Sequence, residues 1–216
     1  MQDYDKPHRN YDEQVSILRS RGLEIPDPAK AALFLSQISY YRFSAYAIPF
    51  WQYRDHFREG VSFPQLVQLY QLDEQLRERI DALLTCIEIL FRTRMTYCLG
   101  RDLGPFGHYD SKYFYSEEKH KIWMERLAKE VNRSNETFID HYKITYHGYP
   151  KLPIWMASEV MSMGRLSRLY DDLRKNFQTP LAKEFGIQPI VLVSWLHVLT
   201  VLSVIQHRMC TPCQHP

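Results

Sequence analysis

The chain of 216 residues carries 45% hydrophobic, 14% aromatic and 24% charged side chains, which excludes a disordered polymer and leaves room for one domain with a sizeable core. Its formal charge is only +2, so no global basic field marks a nucleic-acid binder, and any RNA contact has to be a local patch. Cysteines at 86, 98, 210 and 213 do not make an extracellular disulfide framework, since two fall in one helical segment at a non-bridging spacing; a reducing cytoplasm is the expected compartment.

Residues 1–10 are polar with no apolar signal core, so nothing there directs export. From Tyr4 the chain reads as an extended lead-in, then a short helix to Gly22 with Val15, Ile17 and Leu18 inward and the glycine as its stop. Asp27-Pro28 opens a second helix, predicted to reach Tyr41, because Asp caps well and Pro is tolerated at the first helical position. The run from Tyr40 to Tyr46 is unusually aromatic. Arg42 within it is either a cation–π anchor that binds RNA or a side chain snorkelling among packing aromatics. Residues 49–60 read as a connector.

The longest unbroken helical pattern spans residues 62–100. Ser62 and Gln65 have capping-box spacing, Pro64 sits in the first turn, and Gly100 is placed to close the far end. Leu66, Leu69, Leu72, Leu76, Ile80, Leu83, Ile87, Leu90, Phe91, Met95 and Cys98 recur at three and four, which predicts one core-facing stripe on a rod of about 54 Å, the spine of a helical bundle. After the Gly104-Pro105-Phe106-Gly107 turn cluster, residues 119–133 form a basic amphipathic helix, with Ile122, Leu127 and Val131 on one side and Lys119, Lys121, Arg126, Lys129 and Arg133 mostly on the other. Such a face is either solvated or a surface for RNA. Residues 154–163 and 166–176 read as helices joined at Gly164, Thr179-Pro180 starts a short one, and Pro189 opens an apolar helix. Residues 190–205 hold no charge, but they rise only about 24 Å against a hydrocarbon core of about 30 Å, so a buried core helix is expected and no membrane span. Apolar residues nowhere alternate with period two. The fold class is all-α, in a single domain over residues 1–216.

Phosphate loops, dinucleotide glycine patterns, nucleophile elbows and the His-Glu-x-x-His zinc motif are all missing. Glu88 and Arg92 stand four apart beside the apolar stripe, either as a structural ion pair or as part of a functional cleft. Cys210-Thr-Pro-Cys213 has metal-ligand spacing, with His207 and His215 near, but a lone Cys-x-x-Cys is a weak zinc signal, and no metal or cofactor is expected. Arg208 and His215 also suit RNA cleavage, where His moves a proton and Arg holds phosphate charge.

Several stretches together resemble one family: Tyr4-Asp-Lys-Pro, Arg21-Gly-Leu-Glu-Ile, Tyr40-Tyr-Arg-Phe-Ser-Ala-Tyr, the segment from Leu69-Tyr to Asp73-Glu-Gln-Leu-Arg, Ile87-Glu-Ile-Leu-Phe-Arg, Leu152-Pro-Ile-Trp and Ser194-Trp-Leu. They are similar to the Abi abortive-infection proteins of the AbiD and AbiF type, from about residue 4 to 202. The resemblance implies a bacterial anti-phage protein with a HEPN-like helical fold, many of whose relatives are metal-independent, dimeric ribonucleases. Their signature is an Arg, often followed by Asn, with four to six residues between it and a following His. Counted from Ser194-Trp-Leu, the Arg-Asn belongs near Ser203-Val204, where neither stands; Arg208 and His215 have the loose spacing but sit about five positions late. A slip of the coding frame after about residue 202 would account for this, since Met209 to Cys213 can be encoded so that the shifted frame reads Cys-Ala-His-His, and it would imply a truncated, catalytically damaged relative.

Three functions are therefore weighed. An RNA-cleaving toxin would use His215 as acid/base and Arg208 on the phosphate, with Glu88 or Arg92 orienting them, and would act as a homodimer restrained by an antitoxin or regulatory RNA. A non-catalytic module would bind RNA or a phage component through Arg42 and the 119–133 surface. An inactive remnant would show an exposed apolar C-terminal helix.

Overall fold

Asn10 starts the first helix with a reciprocal cap: its side chain accepts from the Glu13 N–H at 2.9 Å while its own N–H donates to the Glu13 carboxylate at 2.8 Å. The computed structural model describes residues 7–209, with side chains as far as residue 205. Among them it has ten α-helices and one small hairpin, so the fold is all-α. Two compact units divide it near residue 80, and α4 (Phe63–Leu103) runs from one into the other.

In the N-terminal unit, α1 (Tyr11–Ser20) packs on α2 (Pro28–Gln37), which Asp27 caps by accepting from the Lys30 N–H. The second helix stops earlier than its pattern predicts, because Ile38 turns to extended backbone (φ −129°, ψ 128°); α3 (Tyr40–Ser44) and a 3-10 turn (Ala45–Phe50) follow. Phe34 lies edge-on to Phe43, Phe63 and Tyr70 at 5.3, 5.8 and 5.9 Å, so the aromatic run largely builds core. The expected connector holds a hairpin, β1 (Trp51–Tyr53) against β2 (His56–Phe57), turning at Asp55 with φ 64°. Strands of three and two residues are too short to display an alternation. Tyr46 donates to Asp73 at 2.6 Å, and Arg77 bonds both, from Nε to the carboxylate at 2.6 Å and from Nη2 to the phenol at 3.3 Å. Burial and the Asp73 carboxylate push the Tyr46 phenol up to about 12.

At 41 residues α4 extends about 62 Å. Its stripe is not continuously buried. Leu66 is buried in the N-terminal unit's core and Phe91, Met95 and Cys98 in the C-terminal unit's, whereas Leu72, Leu76, Leu83, Ile87 and Leu90 are exposed. Gly100 is inside the helix; a Cβ there would meet Trp155 at 3.7 Å. The stop is Gly104, whose φ of 76° suits a residue without Cβ and whose N–H bonds the Gly100 carbonyl at 3.1 Å.

The C-terminal unit continues through 3-10 turns (Gly107–Tyr109, Ser111–Tyr113), α5 (Glu117–Arg133), α6 (Thr137–Thr145), α7 (Ile154–Val160), α8 (Met163–Asp172), α9 (Lys175–Glu184) and α10 (Pro189–Met209). The break expected at Gly164 falls two residues earlier, where Ser162 accepts from the Arg165 N–H and caps α8. Gly164 instead lets α8 approach α10: a Cβ would stand 3.2 Å from the Thr200 methyl. Pro180 lies within α9 rather than at its start. The last helix is only half buried, a correction to its expected core placement. Leu192 and Leu196 are inside, but Trp195, Val198, Leu202 and Ile205, on one face at spacings of three and four, are exposed. No single helix among the described residues is long and apolar enough to cross a membrane.

Candidate functional site

The apolar positions of α5, His120, Trp123, Leu127 and Val131, recur at three and four and are buried, which turns Lys119, Arg126, Lys129 and Arg133 outward. Ser116 caps this helix from its N–H side, accepting from Lys119 at 3.2 Å. Against it lies α8, fastened twice: the Trp123 indole donates to the Arg165 carbonyl at 3.1 Å, and the Arg165 guanidinium grips Glu130 at 3.0 and 3.2 Å. Between the helices a cavity of about 270 Å³ opens, walled by Phe114, Ile122, Trp123 and Leu169 and rimmed by Lys119, Arg126 and Arg168. Among the described residues none of these three cations has a carboxylate within ion-pair distance, in contrast to Arg165.

The same cavity is also lined by His120 and Asp172. His120 donates from Nε2 to the His108 carbonyl at 2.8 Å, the tautomer in which Nδ1 is the acceptor nitrogen, and Phe114 stacks on the ring at 4.3 Å. Asp172 ends α8, and its Oδ2 is buried without a hydrogen-bond partner among the described residues. Burial raises the Asp172 pKa, opposed by the Lys119 charge. His108, 2% exposed, has no hydrogen-bond partner at either ring nitrogen among the described residues, and burial, with His120 beside it, drives its pKa down to about 3.

The α4 pair is a different arrangement. Arg92 bonds Glu88 at 2.5 Å and also donates to the backbone carbonyl of buried Ser158, while Thr96 donates to the Ser158 hydroxyl at 3.0 Å. Ser158 sits in the last turn of α7, where its carbonyl accepts from the Met161 N–H at 3.2 Å, and Arg92 adds a second hydrogen bond to that oxygen and ties α7 to α4. A shallow groove beside it is lined by Tyr97, Arg101, Trp155 and Glu159.

Comparison with protein families bears on this geometry. The profile of the family described as Abi-like protein matches residues 33–202, more than half of the chain. The chain belongs to the Abi-like family. Membership supports a role in abortive infection, a defence against phage. No curated protein and no solved structure gives a significant match.

In this Abi-like chain the expected site residues are distributed as follows. Lys119 and Arg126 come together at the cavity; Lys129 and Arg133 extend the same helix face but do not line it. Arg42 belongs to the N-terminal unit, where its charge acts on Tyr46 and Asp73. Glu88 and Arg92 meet each other and α7. Arg208 is on α10, but its side chain, and the whole of His215 and the Cys210–Cys213 pair, lie outside the described residues. Among those residues no group of three or more His, Cys, Asp or Glu is placed to hold a metal ion. Sequence reasoning missed Arg168, Asp172 and His120. The signal was Arg165, Arg168 and Asp172 at spacings of three and four, one face of a helix; what it faces is tertiary information.

Proposed function

We propose that this Abi-like chain is a phage-defence effector of the bacterial cytoplasm that acts on RNA, as a HEPN-type ribonuclease needing no metal. The observation that supports an RNA target is a set of cations on α5 and α8 with no carboxylate within ion-pair distance among the described residues: Lys119, Arg126 and Arg168 at the cavity, prolonged along α5 by Lys129 and Arg133. Exposed cations spaced along one face suit a phosphate backbone and give a sequence-tolerant, salt-dependent contact. In this reading the chemistry falls to Arg208 and His215. A base takes the ribose 2′-hydroxyl proton, the 2′-oxygen bonds to phosphorus, the phosphorus to 5′-oxygen bond breaks, and the proton goes to the leaving 5′-oxygen. Arg208 offsets the charge that grows on phosphorus oxygens. Glu88 and Arg92 act as a scaffold that holds α7 to α4.

The active form in this reading is a homodimer. Leu83, Ile87 and Leu90 on α4 and Trp195, Val198, Leu202 and Ile205 on α10 leave exposed apolar faces of a kind that subunit contacts bury. A second reading, a non-catalytic RNA-binding module, is favoured by Arg92 being occupied by Ser158 and Glu88 rather than open to a substrate. The test is RNA cleavage in EDTA by the wild type beside Arg208→Ala and His215→Ala. Cleavage lost in both variants supports the ribonuclease; salt-dependent binding without cleavage supports the module; neither binding nor cleavage overturns both.

A further inference from the structure

The cavity between α5 and α8 is lined by groups of opposite character. Three cations without ion-pair partners among the described residues, Lys119, Arg126 and Arg168, share it with Asp172 and His120. A bare inorganic anion would gain from the cations but meet the Asp172 carboxylate, whose Oδ2 is buried without a hydrogen-bond partner among the described residues. A neutral apolar molecule would leave both kinds of group unsatisfied. A ligand that fits carries negative charge and also N–H or O–H donors, with a flat body for the walls. The volume of about 270 Å³ holds one such unit rather than a duplex.

We infer that this cavity is a site for a single nucleotide, its phosphate on Lys119, Arg126 and Arg168 and the donors of its sugar and base on Asp172 and His120. The titratable groups facing it are these five from α5 and α8, with Asp171 beside them and Arg165 turned to Glu130. Arg165 therefore positions the wall and is not needed for the phosphate. The nucleotide is either free or one residue of a single strand; only in the second case does the site rest on the RNA reading above.

The experiment is isothermal titration of the full chain with AMP, GMP, CMP and UMP, with inorganic phosphate, and with a five-nucleotide RNA, on wild type, Arg168→Ala and Asp172→Asn. The expected result is saturable binding of at least one mononucleotide, tighter than inorganic phosphate, and weakened about tenfold by either substitution. Competition by the short RNA assigns the nucleotide to a strand, and its failure to compete assigns the site to a free nucleotide. Binding of no mononucleotide, phosphate binding equal to that of the nucleotides, or indifference to both substitutions overturns the inference. RNA binding that survives such a result leaves the RNA reading standing. Mononucleotide binding without RNA binding removes the RNA reading and leaves this one.

Discussion

His108 gives the fold a specific acid sensitivity. Its ring is 2% exposed, both nitrogens lack hydrogen-bond partners among the described residues, and its pKa is depressed from the ordinary 6.5 to about 3. Because the folded value is the lower one, the unfolded chain binds the extra proton between pH 3 and 6.5, and stability falls as pH drops through that window. At pH 5 the unfolded imidazole is mostly protonated and the folded one is neutral, which favours unfolding by about 2 kcal/mol relative to pH 7. His108→Leu, close in volume and with no ring hydrogen bond to lose, should be near neutral at pH 7 and should remove that increment at pH 5. Urea unfolding of wild type and variant at both pH values measures it, and the comparison cancels other titrating groups such as Asp172. Equal losses in the two proteins between pH 7 and 5 would refute the assignment of a buried, neutral His108.

Four further outcomes are expected. Tyr46→Phe removes the 2.6 Å bond to Asp73 and should lower stability by about 1–2 kcal/mol, read from the urea midpoint; an unchanged midpoint means the Asp73–Arg77 pair is self-sufficient. Arg92→Ala removes one of the two hydrogen bonds on the Ser158 carbonyl and the ion pair to half-buried Glu88, at a cost of about 1–3 kcal/mol in thermal unfolding; loss of RNA cleavage at unchanged stability would instead make Arg92 functional. Light scattering should give twice the 25.9 kDa chain mass for the wild type and the single mass for Trp195→Glu, and a monomeric wild type would remove the dimer. Arg126→Ala and Lys129→Ala should each flatten the dependence of log K on log salt for single-stranded RNA by about 0.7, and slopes equal to wild type would take α5 out of the interface.

Local signals were legible where chemistry acts between near neighbours. Asp27 before Pro28 and Gly22 after α1 mark helix ends by hydrogen bonds a few residues long. The outward row on α5 and the Glu88–Arg92 pair follow from helical spacing alone. The hairpin at residues 51–57 escaped notice because its pairing is set by Phe57 bonding the Arg21 carbonyl and by the turn at Asp55, not by an apolar alternation.

The sequence by itself determined the helical class, the long α4 and the family, because periodicity, caps and motif order are properties of the chain read in one dimension. Only the tertiary structure decided which apolar faces are covered. The same leucine spacing is buried at Leu66 and exposed at Leu83, since burial depends on what another segment brings against a face and not on the face itself. It also decided that Lys119 and Arg126 share a cavity with Arg168 and Asp172. Those residues are some forty to fifty positions apart, and their charges meet because Trp123 and Glu130 fasten α8 onto α5.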